Sequence, residues 1–264
     1  MYTIRDYVKV KSLEEAYELN QKRTSAVIGG GMWLRLGNKP IGTAIDLTEL
    51  GLDTIEETEE EFIIGCMTSL RDIECHEGLN RYFHGMMQEA MKGIVGTQFR
   101  NTATIGGSIF QKFGFSDPLT AFMALDTDVE LYAGGRMPLK DFVTFSAGRD
   151  ILVRLHVRKD GRKAAYQSFR NTKTDFPVVT AAVYKIQGTW SVVIGARPGR
   201  AACIEDVCMK SENPDSEEIL RFAAEAAGHA VFGSNMRASG DYRKLLAEVL
   251  IKRAVQDILA QDQH

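Results

Sequence analysis

Apolar residues recur along this chain at two spacings, and the switches between them mark its elements. In "SLEEAYELNQKR" (12–23), Leu13, Ala16, Tyr17 and Leu19 form a stripe at helical spacing, and Ser12 with Glu15 three residues on is a capping-box signature. The strand "AVI" follows and breaks into three glycines; "GTAIDLTEL" reads as a second short strand, so the N-terminus is a small α/β unit. "TIEETEEEFIIG" reads as a hairpin whose acidic middle is a solvated turn. "TSLRDIECHEGL" and "RYFHGMMQEAMKGI" read as two helices, with Met86, Met87 and Met91 as core residues. "SDPLTAFMALDTDVELYAGG" opens a helix at Asp117–Pro118 and continues into a strand. "DILVRLHV", "AAYQSF", "PVVTAAVYKIQ" and "WSVVIGA" predict an antiparallel sheet in the second half. Two helices close the chain, and in the last Tyr242, Leu245, Leu246, Val249, Arg253 and Val255 to Ile258 are expected to form the packed face. "RKDGRK", near residue 160, is the best joint between two parts.

Composition narrows the class. At 264 residues, 44% hydrophobic and 25% charged, the chain is an ordinary globular protein with room for two subdomains. A formal net charge of -3 gives no global pull toward nucleic acid or anionic lipid. No apolar run is long enough to span a membrane, and the first residues lack a signal core, so a cytoplasmic protein is the default expectation. Cys66, Cys75, Cys203 and Cys208 form no CxxC pair, and the histidines no HExxH, so no metal ligands are assigned.

The candidate chemistry lies in two glycine-rich stretches. "QFRNTATIGGSI" (98–109) gathers hydroxyls and backbone donors around adjacent glycines, and "AVIGGGMWL" (26–34) places three glycines after a strand. Exposed successive N–H groups suit anionic oxygens, and glycine lets a ligand reach the backbone. Neither stretch has the G-x-G-x-x-G or Walker spacing. Alone, "QFRNTATIGGSI" reads better as a plain Gly-Gly turn between two strands; together, the two stretches can hold the two phosphates of one pyrophosphate.

"AVIGGGMWL" resembles the A-G-G-T-D-L loop, and "FRNTATIGGS" the I-R-N-x-A-T-I-G-G-N/D loop, of molybdenum-hydroxylase flavoprotein subunits. These are the FAD subunits of xanthine dehydrogenases, carbon monoxide dehydrogenases and their relatives. The resemblance continues through "SDPLTAFMALDTDVEL", "DILVRLHV", "YQSFRNTKTDFPVV", "GARPGRA" and "YRKLLAEVLIKRA".

It implies an α+β fold, with a vanillyl-alcohol-oxidase-type (PCMH) FAD-binding domain over 1–160 and a smaller α+β domain of antiparallel sheet and helices over 161–264. Implied pyrophosphate contacts are Ala26, Val27, Ile28, Gly29, Gly30, Gly31, Met32 and Trp33, then Thr104, Ile105, Gly106, Gly107 and Ser108. Asp117 aligns with a family aspartate that contacts the cofactor, and Ile94, Leu152 and Arg170 fall where the family touches flavin or adenosine. Met32, Trp33, Gly31, Ser108 and Arg170 depart from the usual family residues. The segment "FRNT" either flanks a nicotinamide pocket or anchors the loop.

The implied function is a subunit passing electrons from iron–sulfur centres through non-covalent FAD to NAD, with no catalytic side chain of its own. Molybdenum cofactor and [2Fe-2S] clusters are expected on partner subunits only: an iron–sulfur subunit and a molybdenum-cofactor subunit. The alternatives are a stand-alone flavin oxidoreductase and a non-catalytic flavin- or nucleotide-binding assembly subunit.

Overall fold

The computed structural model describes residues 3–261. Strand β1 (Ile4–Lys9), helix α1 (Leu13–Asn20) and strands β2 (Ser25–Ile28) and β3 (Ile41–Asp46) form the first unit, a parallel sheet in the order β1–β3–β2. Ser12 caps α1 by accepting the Glu15 N–H, as the sequence pattern predicts, but the Glu15 carboxylate accepts from the Lys11 N–H rather than from the Ser12 N–H of a full capping box.

Strands β4 (Ile55–Glu57) and β5 (Glu61–Gly65) make the predicted hairpin. Three helices rather than two follow: α2 (Leu70–Cys75), α3 (Glu77–Tyr82) and α4 (Met86–Lys92). The break falls at His76, whose extended backbone ends α2 while its ring nitrogen accepts the Leu79 N–H to cap α3. Met86, Met87 and Met91 are buried as expected. Two short helices, α5 (Thr97–Arg100) and α6 (Ile105–Phe110), occupy the second glycine stretch. Gly106 and Gly107 therefore sit in the first turn of a helix with ordinary φ rather than in a turn of positive φ.

Helix α7 (Asp117–Ala124) is buried at every position, the mark of a helix running through a core. Strands β6 (Thr127–Leu131) and β7 (Gly135–Pro138), helix α8 (Leu139–Phe142) and strand β8 (Leu152–Arg158) follow. Strand β8 is the "DILVRLHV" run, and it pairs with β5 and β6 in the antiparallel sheet β4–β5–β8–β6–β7, not with the strands after it. Spatial proximity to the early hairpin overrides the sequence neighbourhood.

Beyond Arg158 the chain enters a third sheet: β9 (Lys163–Phe169), β10 (Val179–Ile186), β11 (Thr189–Gly195), β12 (Ala202–Cys203) and β13 (Met209–Lys210), all antiparallel. Its two faces separate cleanly along β10. Ala182 joins the core of the first half, while Ala181 and Val183 join a second core beneath the last helices, α9 (Ser216–His229) and α10 (Gly240–Gln261). Apolar residues on both faces explain the nearly unbroken hydrophobic run of this strand.

One packing expectation is corrected. The buried residues of α10 are Arg243, Ala247, Leu250, Ile251, Ala254, Val255 and Ile258, whereas Tyr242, Leu245 and Val249 lie exposed. Small alanines permit close approach of α10 to the sheet, so the bulkier stripe a third of a turn away faces outward.

Candidate functional site

The first three-stranded sheet, the α5–α6 segment and the start of α7 enclose a cleft of about 1010 Å³. That is the upper end of the size range of small-molecule and cofactor sites. Of the residues implied by the resemblance, Ala26, Val27, Gly29, Gly30, Gly31, Met32, Trp33, Ile94, Thr104, Gly106, Gly107, Ser108, Asp117, Leu152 and Arg170 line it. Ile28 and Ile105 do not. Ile105 is fully buried among core side chains, because the first turn of α6 points that position inward.

The glycine stretches touch each other at this cleft. A Cβ on Gly30 would lie 1.7 Å from the Thr102 carbonyl oxygen, and one on Gly29 2.4 Å from the Thr104 hydroxyl. Real Cβ contacts are never so short, so these two glycines are required by the approach of one loop to the other. Gly31 is required by conformation, with φ of 66°.

Their backbone donors differ. Among the described residues, no protein acceptor receives the N–H groups of Gly30, Gly31, Met32 and Trp33. In the second stretch Ile105 N–H bonds to Thr68 O at 2.9 Å, Gly106 N–H to Cys66 O at 2.8 Å and Ser108 N–H to Thr104 O at 3.2 Å. Gly107 N–H bonds to the Thr104 hydroxyl at 3.3 Å, and the Ser108 hydroxyl donates to Thr104 O at 3.0 Å. Thus Thr104 and Ser108 hydroxyls, assigned to phosphate on the resemblance, already serve the cap and first turn of α6.

Within the "FRNT" segment, Arg100 serves as an anchor. Arg100 is buried and grips Glu74 through two bonds of 2.7 and 3.1 Å, and it donates a third to Ile94 O at 3.0 Å. Burial of Glu74 is outweighed by its Arg100 and Arg71 partners, so its carboxyl is held below the usual range. Arg100 is not part of the cleft wall, although Phe99 beside it is.

Asp117 opens α7, but the helix cap is Ser116, whose hydroxyl accepts the Leu119 N–H. The Asp117 side chain is instead the centre of a buried triad. Its Oδ1 accepts from the Tyr166 hydroxyl and from Arg170 Nη2, both at 2.5 Å, and Arg170 Nη1 donates to Asp175 O at 2.8 Å. Burial pushes the Asp117 carboxyl up against the opposing pull of Arg170 and Tyr166. Burial, and the neighbouring Asp117 charge, push the Tyr166 phenol far up as well, so the phenol stays a donor.

Sequence reasoning missed an aromatic wall. Trp33 stacks on Phe176 with ring centroids 5.6 Å apart and tilts against Phe113 and Phe115 at 5.4 and 5.1 Å. These rings come from three distant segments, and the only local hint is the Phe-Gly-Phe spacing just before Ser116. Arg35 and Lys39, directly after the first loop, also line the cleft and add positive charge.

These features suit a flavin dinucleotide. Unengaged N–H groups suit a pyrophosphate, Arg35 and Lys39 supply countercharge, and the aromatic wall suits a flat ring. Among the described residues there is no cluster of His, Cys, Asp or Glu able to hold a metal. No helix among them is long and apolar enough to cross a membrane.

Comparison with known proteins agrees with this geometry. Residues 2–156 match the family described as the FAD binding domain in molybdopterin dehydrogenase. The nicotine 6-hydroxylase medium subunit of Paenarthrobacter nicotinovorans is 26% identical over 274 residues, covering 94% of this chain and 95% of that protein. The protein YgfM of Escherichia coli strain K12 is 23% identical over 254 residues, with 94% of each chain covered. A chain of the Cu,Mo-CO dehydrogenase superposes with a TM-score of 0.87 at 22% identity, over 98% of this chain and 99% of that one. The chain belongs to the family of FAD-binding domains of molybdopterin dehydrogenases.

Proposed function

We propose that this chain is the flavoprotein subunit of a cytoplasmic, xanthine dehydrogenase-like molybdenum hydroxylase and delivers electrons from iron–sulfur centres, through FAD, to NAD. The observation that carries the reading is the meeting of both glycine stretches at one cleft, with the donors of the first unengaged, in a chain of this family.

Bound FAD supplies the conversion between single-electron and paired-electron transfer. The chain's own residues bind and orient it. Backbone N–H groups of Gly30 to Trp33 hold the pyrophosphate, and helix α6 forms the opposing wall. Asp117, clamped by Tyr166, fixes the Arg170 guanidinium at the cleft, where it contacts the cofactor. Ile94 and Leu152 give apolar contact, and the rings of Trp33, Phe113, Phe115 and Phe176 keep water from one side of the cleft. Residues 1–160 act as the FAD domain and 161–264 as a second domain that contributes Arg170 and Phe176. The molybdenum cofactor and [2Fe-2S] clusters reside on partner subunits, and the chain has no nucleic-acid or membrane role.

Heat-denatured protein should release FAD, one per chain, and anaerobic NADH should bleach the bound flavin. Release of FMN alone would refute the pyrophosphate assignment. Turnover of an organic substrate with oxygen by the isolated chain would replace the subunit reading with that of a stand-alone oxidase.

A further inference from the structure

A second cavity, of about 450 Å³, lies on the other side of the aromatic wall, sharing Phe113, Phe115 and Phe176 with the flavin cleft. The rest of its lining is strongly basic: Lys112, Arg200, Arg237 and Arg243, without a single carboxylate. Arg237 has its own partner, Asp175, at 3.1 Å. Among the described residues, the other three cations have no carboxylate partner.

Each donates to neutral oxygens, and Lys112 Nζ also lies over the Phe142 ring, 3.9 Å from its centroid. Lys112 Nζ bonds to Phe145 O at 2.6 Å and Arg200 Nη1 to Val143 O at 2.7 Å. Arg243, only 1% exposed, donates to Val178 O, Ala196 O and Asn235 Oδ1, and its Nε–H has no acceptor among the described residues. A buried cation without a countercharge is among the costliest arrangements in a folded chain. Here two, Lys112 and Arg243, converge on one cavity, and the exposed Arg200 joins them in its lining. Burial drives the Lys112 ammonium and the Arg243 guanidinium down, and the next cation, Arg200 or Arg237, drives each further. The backbone is also held in the left-handed region at two non-glycine residues of the lining, Lys112 at φ 50° and Ala196 at φ 53°.

We propose that this cavity is an anion site, separate from the flavin cleft, for a small molecule carrying an oxyanion on a flat apolar body. Lys112 and Arg200 meet the oxyanion, Arg243 supplies the buried field behind them, and the phenyl rings take the flat body. Phosphate esters and aromatic carboxylates share this chemistry. The proposal does not depend on the flavin assignment, since Lys112, Arg200 and Arg243 line only the second cavity.

Calorimetric titration of the full chain, saturated with FAD, with pyrophosphate, benzoate and neutral benzamide at constant ionic strength tests it. One site per chain is expected for pyrophosphate or benzoate, with a Kd of about 1 mM or tighter, and none for benzamide. Pyrophosphate binding alone assigns a phosphate ligand, benzoate binding alone an aromatic carboxylate. The double variant Lys112→Met, Arg200→Met should weaken binding by about tenfold or more with its circular dichroism unchanged. If that variant does not fold, Arg200→Gln gives the same reading with one charge removed. Absence of binding by both anions, equal binding of benzamide, or unchanged affinity in the folded variant would each overturn the proposal. A chain that holds no FAD would refute the flavin reading and leave this titration readable through the Lys112 and Arg200 variants.

Discussion

The two glycine stretches look alike as sequence and behave differently as structure. In the first, residues 29 to 33, the glycines let the loop lie against Thr102 and Thr104, and the N–H groups beyond them meet no protein acceptor. In the second, the glycines belong to helix α6, and every N–H from Ile105 to Ser108 has a protein partner. One is a strip of unengaged donors; the other is a finished wall, anchored from beneath by Arg100 and Glu74. Glycine therefore serves ligand approach in one place and core packing in the other. Substitutions should separate binding from folding along this line.

The largest effect is expected at the anchor. Arg100→Met leaves the buried Glu74 carboxylate facing only Arg71, and breaking a buried pair in this way costs about 3–5 kcal/mol. Denaturant unfolding should show that loss, with flavin lost only in proportion to the unfolded fraction. Acid provides a second reading of the same pair. Glu74 is held below its ordinary value of 4.5, so its contribution is complete above that value and disappears as pH falls through the depressed one. The stability gap between wild type and Glu74→Gln should accordingly narrow below about pH 4.5. A gap unchanged from neutral pH down to pH 3 would mean that the ion pair does not hold the wall.

Next come the paired substitutions Gly106→Ala and Gly30→Ala. At Gly106 a Cβ would fall 2.6 Å from Cys66 O in a fully packed position, so a loss of roughly 1–3 kcal/mol in stability is expected, with flavin affinity of the folded fraction nearly intact. At Gly30 a Cβ would fall 1.7 Å from Thr102 O, so the half-buried loop moves off and its donors with it. FAD affinity should drop by about tenfold to a hundredfold, the value of one or two charge-assisted bonds, while the melting temperature of the flavin-free chain changes little. The reverse pattern would erase the distinction between strip and wall.

How much of this could be read from the chain alone depended on range. Local features were legible: the Ser12 cap, the β4–β5 hairpin, the entry of α7 at Asp117 and both glycine stretches at the cleft. What escaped was set by contacts distant in sequence. Strand β8 joins the first sheet because β5 and β6 offer it edges, and nothing within "DILVRLHV" says so. The exposed face of α10 was misassigned because bulk was taken as burial, whereas alanine at Ala247 and Ala254 is what allows contact. The anchor of "FRNT" is Glu74, 26 residues from Arg100, and nothing within the segment points to it. The aromatic wall, built from residues 33, 113, 115 and 176, has no signature in any one window.

A smaller effect is expected where the halves meet. Tyr166→Phe removes one of the two donors on Asp117 Oδ1, and a hydrogen bond to a charged group is worth about 1.5–3 kcal/mol. Arg170 keeps its bond to the same oxygen, so the carboxylate remains paired and the lower end of that range applies. Since Arg170 reaches the cleft, the visible spectrum of the bound flavin should shift together with the loss of stability. A stability loss with an unshifted spectrum would make the triad a strut between the halves with no influence on the cofactor.

The smallest effect is expected at Gly107, and it sharpens the contrast most. Gly107 is exposed on the cleft side of α6, its φ is ordinary, and the nearest atom to an added Cβ is the Thr104 hydroxyl at 3.3 Å. Alanine there fits with a shift of a few tenths of an ångström in a side chain, and it favours helix over glycine by up to about 1 kcal/mol. Gly107→Ala should therefore leave stability unchanged or slightly raised. Its methyl group faces the cavity, so it narrows the space against the pyrophosphate without removing a donor, because the Gly107 N–H already bonds to Thr104. A rise in the FAD dissociation constant of less than about tenfold, read by quenching of flavin fluorescence on binding, is the expected result. A loss as large as that of Gly30→Ala would mean that the Gly107 N–H leaves Thr104 for the phosphate when FAD binds, and the second stretch would then be a donor strip like the first.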